Sequence, residues 1–259
     1  MRSFAVVTSF SAKQWEDDLT RECVRTMATL WSCEKMVYVN GGECGVRDYA
    51  VTTYNLDIDA SLWAFKQAYQ NVTKPIMWPN GVYDYRFDAC KFAHKVYALY
   101  RAGRESNADT IIWLDADVVT TREITNVFLT QTIPEDCIAA YLGREEQYTS
   151  ECGFVGYNSR RFLQAFRSMY VSGDIFKLAE WHDSFVFDHL RTHWNHGRYF
   201  HNINQMKIKG KHVWPLTLLG AHMSHLKGPA RKEHHQDFTD AELAAVTETE
   251  GMRVVKKAI

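Results

Sequence analysis

The chain opens on a dense apolar run, "FAVVTSF" at 4–10, broken only by small hydroxyl residues, which predicts a short buried strand. From about Gln14 to Trp31 the apolar positions change to helical spacing, and "KMVYVN" at 35–40 returns to a strand pattern closed by Gly41 and Gly42. Strand, helix and strand make a β-α-β opening. A further helix begins near Ala60, with Asp59 or Ser61 as its cap. Next, "FDACKFAHKVYALYRAGRE" sets Phe92, Val96 and Leu99 on one side and Lys91, His94 and Lys95 on another, at i, i+3, i+4 spacing. It leads into "TIIWLDADVV" at 110–119, apolar for five positions and then carrying Asp115 and Asp117. After it come a short helix ("TREITNVFLT"), two strands ("CIAAYLG" and "GFVGYN"), a helix from about Ser159 to Val171, and one at "DSFVFDHLRTHW" ended by Gly197. Strands alternating with helices imply an α/β fold whose mainly parallel sheet is covered on both faces. No repeat or linker interrupts the pattern, so residues 1–259 read as a single domain.

Composition supports a large core, with 46% hydrophobic and 14% aromatic residues in 259. Some of the many aromatic side chains are candidates for lining a groove for sugar rings or bases, alongside ordinary packing. Six cysteines form no C-x-x-C pair and lie within or beside apolar runs, so they read as reduced, buried thiols of a cytoplasmic protein. The first residues hold an Arg and a brief apolar run without a cleavage site, and no apolar stretch approaches 18 residues, so neither secretion nor a membrane span is expected.

A net charge of −1 conceals an asymmetry. From His189 to His235 the only acid is Glu233, while Arg191, Arg198, Lys207, Lys209, Lys211, Lys227, Arg231 and Lys232 are cationic and nine of the eleven histidines fall there too. Such a segment suits an anion, either a nucleotide diphosphate or a polyanionic acceptor; a solvated basic face is the plain alternative.

The D-x-D spacing of Asp115 and Asp117 recurs at Asp57 and Asp59, and about one such pair is expected by chance in a chain of this length. Context separates the two. Asp57 and Asp59 precede a helix, where carboxylates cap free N–H groups. Asp115 and Asp117 follow a buried strand, and ligands of open α/β sheets bind outside the carboxyl ends of strands. Residues i and i+2 of an extended segment point to the same side, so both carboxylates can reach one hard cation, Mg²⁺ or Mn²⁺, which would neutralise a diphosphate. Near the C-terminus "HMSHLKGPARKEHH" adds His225 as a possible metal ligand, Gly228 as backbone that can approach a phosphate, and Arg231 as a cation. His222 and His225 also form H-x-x-H, but no local Cys or Glu completes a zinc pattern.

With these residues in view, the chain resembles the GT-A glycosyltransferases, particularly the glycogenin-like and lipopolysaccharide galactosyltransferase family of retaining enzymes. The resemblance rests on "IIWLDADVV" for the D-x-D strand, "ECGFVGYN" for the N-A-G-V-type segment, "WHDSFVFD" for the D-Q-D segment and "HLKGPAR" for the H-x-x-G-x-x-K close. It covers about Phe4 to Arg231. The whole pattern is also similar to small glycosyltransferases of bacteriophages and marine bacteria. The resemblance implies a GT-A, Rossmann-like fold with a nucleotide-sugar half at about 1–120 and an acceptor half at about 121–259. It further implies Asp115, Asp117 and His225 on Mn²⁺, and Gly228 with, by substitution, Arg231 on the donor diphosphate, where the charge of Lys227 would add to that of Arg231 and the metal. "ECG" stands where the family has N-A-G, and "WHD" keeps only the second acid, as Asp183.

The sequence thus predicts a metal-dependent transferase moving a sugar from a nucleotide diphosphate, with UDP the expected carrier, to a hydroxyl acceptor. Thr8 and Ser9 at the end of the first strand would meet the base or ribose, Lys91 or Lys95 the donor phosphates or sugar, and Asp183 and Glu151 would orient the sugar or acceptor hydroxyl. A nucleotidyltransferase would use a similar metal site, but "FAVVTSFSAKQW" lacks the Gly-rich phosphate loop that such chemistry needs. A carbohydrate-binding module would have no reason to bind Mn²⁺ and UDP together. The acceptor stays open between a glycan and hydroxymethylated DNA, the latter suggested by surplus positive charge.

Overall fold

The computed structural model describes residues 2–70, 76–77, 83–144, 148–194, 199–208, 210 and 212–226. The first part of the chain forms β1 (Phe4–Ser11), α1 (Asp18–Leu30), β2 (Glu34–Asn40), β3 (Thr52–Asn55), α2 (Ala60–Tyr69), the short β4 (Ile76–Met77) and β5 (Tyr83–Asp84), and α3 (Ala89–Glu105). Then come β6 (Thr110–Leu114), β7 (Val118–Thr120), α4 (Asn126–Thr132), β8 (Ala139–Leu142), β9 (Glu151–Tyr157), α5 (Arg160–Val171), α6 (Asp183–His193), β10 (His201–Asn202) and β11 (Met223–His225).

The main sheet has the order β10-β8-β9-β6-β1-β2-β3. β1 is parallel to β2 and β6, β2 to β3, and β8 to β10; β9 alone runs antiparallel, between β6 and β8. The reason for that reversal lies in the connection. Only residues 143–150 join β8 to β9, too few for the crossover that parallel neighbours need.

Alternation along β1 divides the core in two, because successive side chains of a strand point to opposite faces. Ala5 and Val7 pack with Phe65 of α2, Val96 and Leu99 of α3, Phe162 of α5 and Phe187 of α6. Phe4, Val6 and Phe10 pack with Val24 and Met27 of α1 and Leu129 of α4. Helices therefore cover both faces, and the mixed, mainly parallel sheet expected from the sequence is the one observed.

Local signals hold at the helix starts. The Asp17, Asp59, Asp88, Thr125 and Ser159 side chains each accept a backbone N–H from the first turn of the helix that follows. Asp59 takes two, from Ser61 and Leu62, both at 3.0 Å. Replacing it with Ala is expected to lower stability by about 1 kcal/mol, read by urea denaturation. Asp57, expected beside it as a second cap, does something else: its Oδ2 accepts the N–H groups of Gly41 (2.8 Å) and Gly42 (3.2 Å), whose φ angles of +76° and +112° fit glycine alone. The helix expected at 121–130 begins later, at Asn126, because the N–H groups of Thr121 and Arg122 donate to the His222 carbonyl instead.

No disulfide joins any of the six cysteines. Burial pushes the Cys33 and Cys137 thiols up to about 11, which keeps them protonated and unreactive. Among the described residues, no helix is long and apolar enough to cross a membrane.

Candidate metal and donor site

β6 carries its apolar run through the middle of the sheet and ends at Asp115, whose N–H donates to the Gly153 carbonyl on β9 (2.8 Å). The chain then turns sharply, closed by the bond from the Val118 N–H to the Asp115 carbonyl (3.0 Å). β7 follows and pairs antiparallel with β11, which sets His225 opposite Val118; the Leu226 N–H donates to the Asp117 carbonyl (3.0 Å). This small ladder brings together residues 108 apart in sequence. His225 Nε2 lies 3.1 Å from Asp117 Oδ1 and 3.8 Å from Asp115 Oδ2. One ligand atom from each of Asp115, Asp117 and His225 falls in a cluster no wider than 4.8 Å, as a shared cation requires.

The imidazole is buried and firmly seated. One side rests on Gly153, where a Cβ would stand 2.5 Å from His225 Cε1, and the Trp214 ring meets it edge-on at 5.0 Å. Trp214 is itself anchored by its indole N–H, which donates to the Met223 carbonyl (2.9 Å).

Lys95 of α3 enters the same site from the other core. It is 7% exposed, and its ammonium lies 2.6 Å from Asp183 Oδ2 and 3.1 Å from Asp115 Oδ1 while donating to the Cys152 carbonyl (2.7 Å). Burial works against the charge, but the Asp115 and Asp183 carboxylates outweigh it and hold the ammonium above the ordinary lysine range. The Trp113 indole N–H also donates to Asp115 Oδ1 (2.5 Å). Asp183 is the first residue of α6, where free N–H groups favour a carboxylate.

A strand-end carboxylate pair closed by a distant histidine, on a mixed sheet with one reversed strand, can be compared with solved structures. The galactosyltransferase LgtC, in its complex with donor and acceptor sugar analogues, matches 87% of this chain and 88% of its own at 13% identity and a TM-score of 0.53. The chain has the GT-A fold. A glycosyltransferase involved in glycosylation of the major capsid of PBCV-1 matches 90% of this chain and all of its own, at 12% identity and a TM-score of 0.49. Mouse xyloside xylosyltransferase 1 matches 77% and 84%, at 11% identity and 0.41. No family model matches the chain, and no curated protein matches it in sequence.

On this GT-A sheet the other expected residues take distinct places. Thr8 is fully buried and its hydroxyl has no hydrogen-bond partner among the described residues, so it is closed to a ligand; Ser9, on the opposite face of β1, is half-buried. Lys91 lies one turn before Lys95, exposed, with its ammonium above the rings of Tyr83 (5.6 Å) and Phe92 (5.7 Å). Of the two lysines it is Lys95 that meets the acids. His222 turns toward α4, its ring 4.2 Å from Phe128 and its Nδ1 3.2 Å from the Glu123 carbonyl. Glu151 is buried behind His225 rather than facing the carboxylate pair. Lys227, Gly228 and Arg231, expected on the diphosphate, lie outside the described residues, as do Arg198, Lys209, Lys211 and Lys232 of the basic segment.

The sequence reading did not assign Trp113, Trp214, Arg144 or Gly153. Trp113 lies in "TIIWLDADVV" and Gly153 in "ECGFVGYN", but neither motif gives them a role, and Trp214 and Arg144 carry no local signal, since their importance comes from which strand they meet.

Proposed function

We propose that the chain is a metal-dependent glycosyltransferase that moves a sugar from a nucleotide diphosphate, preferentially a UDP-sugar, to a hydroxyl acceptor. The observation that carries this reading is the gathering of Asp115, Asp117 and His225 at the carboxyl end of a central strand of a GT-A sheet. Two carboxylate oxygens and one imidazole nitrogen fit a small divalent ion; the nitrogen favours Mn²⁺ over Mg²⁺. When bound, such an ion supplies positive charge against the leaving diphosphate.

The remaining tasks belong to the chain's own groups. Lys95 contacts both Asp115 and Asp183, and Asp183 is our candidate for orienting the sugar or the acceptor hydroxyl. Ser9 is the first-strand residue open to the base or ribose. Lys227, Gly228 and Arg231 remain the candidates for the diphosphate on the strength of their motif. Residues about 1–120 then form the donor half and about 121–259 the acceptor half of one domain, in a cytoplasmic protein. The acceptor is a glycan or a hydroxymethylated nucleic acid, the basic segment 189–235 favouring a polyanion.

A panel of nucleotide sugars with Mn²⁺ tests the proposal, because a transferase without acceptor hydrolyses its own donor slowly. One donor should be consumed by the wild type and spared by Asp117→Asn, while Asp59→Asn keeps the activity. His225→Ala should weaken Mn²⁺ binding in the presence of UDP far more than His222→Ala does, read by calorimetric titration. Equal effects in the two histidine variants, or no Mn²⁺-dependent binding of any donor, would sink the proposal.

A further inference from the structure

The proposed metal site leaves one buried acid without a task. Glu151 opens β9 and is 5% exposed, with a partner on either side: Oε1 is 3.4 Å from His225 Nδ1, and Oε2 is 3.4 Å from Arg144 Nη1. It is not among the atoms that cluster for a cation. The His225 ring therefore presents one nitrogen, Nε2, to Asp115 and Asp117, and the other, Nδ1, to Glu151.

A neutral imidazole carries one proton, and the nitrogen that keeps it is the one with an acceptor to receive the hydrogen bond. Where a cation draws on the carboxylates of Asp115 and Asp117, Glu151 stands at the other nitrogen, its Oε1 3.4 Å from Nδ1. We infer that Glu151 is a positioning residue: it holds the His225 proton on Nδ1 and leaves the Nε2 lone pair for a divalent cation between Asp115 and Asp117. This rests on the metal site proposed above.

Two further features of the site fit this role. Both Gly153 and the Trp214 ring pack against the imidazole, which restricts its freedom to turn over and exchange its nitrogens. Arg144 Nη1 lies 3.4 Å from the far oxygen of Glu151, so the carboxylate has a contact at each oxygen, one with the guanidinium and one with the imidazole. Arg144 is fixed in turn, its Nε donating to the Thr149 carbonyl (2.6 Å) and its Nη2 to the Ser150 carbonyl (3.4 Å). The order Arg144, Glu151, His225, cation is a carboxylate–histidine–metal arrangement in which the outer carboxylate sets both the tautomer and the ring direction. It also gives a physical meaning to the "ECG" sequence: the acid reaches the far nitrogen of the ligand, and the glycine two residues on makes room for its ring.

The test compares two variants that fill the space of Glu151. Gln retains an oxygen that can accept from Nδ1, whereas Met is apolar and cannot. Mn²⁺ is titrated calorimetrically in the presence of UDP, and pulsed EPR reads the ¹⁴N coupling of a directly bound imidazole. Glu151→Met is expected to bind Mn²⁺ about 10- to 100-fold more weakly and to lose or diminish the ¹⁴N coupling. Glu151→Gln is expected to retain the coupling and most of the affinity, an outcome that a purely structural role would not separate from that of Met. Thermal melts of both establish that the folded protein is being compared. Glu151→Met with wild-type affinity and coupling overturns this inference alone. Wild-type protein that binds Mn²⁺ without ¹⁴N coupling overturns His225 as a ligand, and this inference with it.

Discussion

Lys95→Met is expected to melt roughly 6 to 12 °C below the wild type, the largest stability loss of any single change in the site. The Lys95 ammonium lies 3.1 Å from Asp115 and 2.6 Å from Asp183, so its removal takes a cationic partner from both acids at once. Removing one member of a buried ion pair leaves an uncompensated charge, which costs about 3 kcal/mol or more. We take the lower end, because the Asp115 side chain is 28% exposed and water can relieve part of the loss. For a chain of this size each kcal/mol moves the melting temperature by roughly 2 to 4 °C. A second variant isolates the cause. Lys95→Met combined with Asp183→Leu removes the stranded charge together with its partner, so much of the stability should return, because apolar replacement of a whole buried pair is often nearly neutral. Donor hydrolysis should not return with it. A single variant melting within about 2 °C of the wild type would show that the Asp115–Lys95–Asp183 contact carries little of the fold, against the reading of buried charge.

The elements of this fold were legible wherever a local pattern decides them. Apolar runs and period-3.6 spacing located β1, α1, β2, α3 and β6, and a capping residue located the start of α2, because these signals lie within a few residues of chain. Long-range pairing decided the rest. Nothing in "GFVGYN" states that β9 lies between β6 and β8 in the reverse direction; the short connection before it does, once β8 and β9 are both known to be strands. The same division runs through the site. Asp115 and Asp117 were readable because a buried strand precedes them, and His225 because Gly228 and Arg231 follow it. The choice between Lys91 and Lys95 was not, since both share one helix face and the long-range approach of Asp115, Cys152 and Asp183 to Lys95 distinguishes them. Thr8 read as a ligand-facing hydroxyl because it stands at a strand end. Its side chain shares the face of Val6 and Phe10, which α1 covers.

Gly153→Ala should disable the site with little damage to the sheet. The added Cβ would stand 2.5 Å from His225 Cε1 and 2.7 Å from Nδ1, where apolar contacts settle nearer 3.5 Å, so something must move by about 1 Å. The strand is the stiffer partner. β9 pairs with β6 as far as Phe154 and with β8 at Glu151 and from Val155 on, across a register shift, and the Gly153 carbonyl itself receives the Asp115 N–H. The ring is the softer one, and it also packs against Trp214, so the displacement falls on the position of Nε2 relative to Asp115 and Asp117. An error of this size in a positioned group costs about 100-fold in rate, while overpacking costs about 1 to 3 kcal/mol in stability. The expected phenotype is therefore a folded protein with weakened Mn²⁺ binding in the presence of UDP and donor hydrolysis reduced about 100-fold. Gly45→Ala supplies the control, since a Cβ there meets only ordinary contacts, at 3.5 Å from Trp15 and 3.6 Å from Asp48. Wild-type Mn²⁺ affinity in Gly153→Ala would mean that the His225 ring does not need this seat, and that the cation is held by the two carboxylates alone.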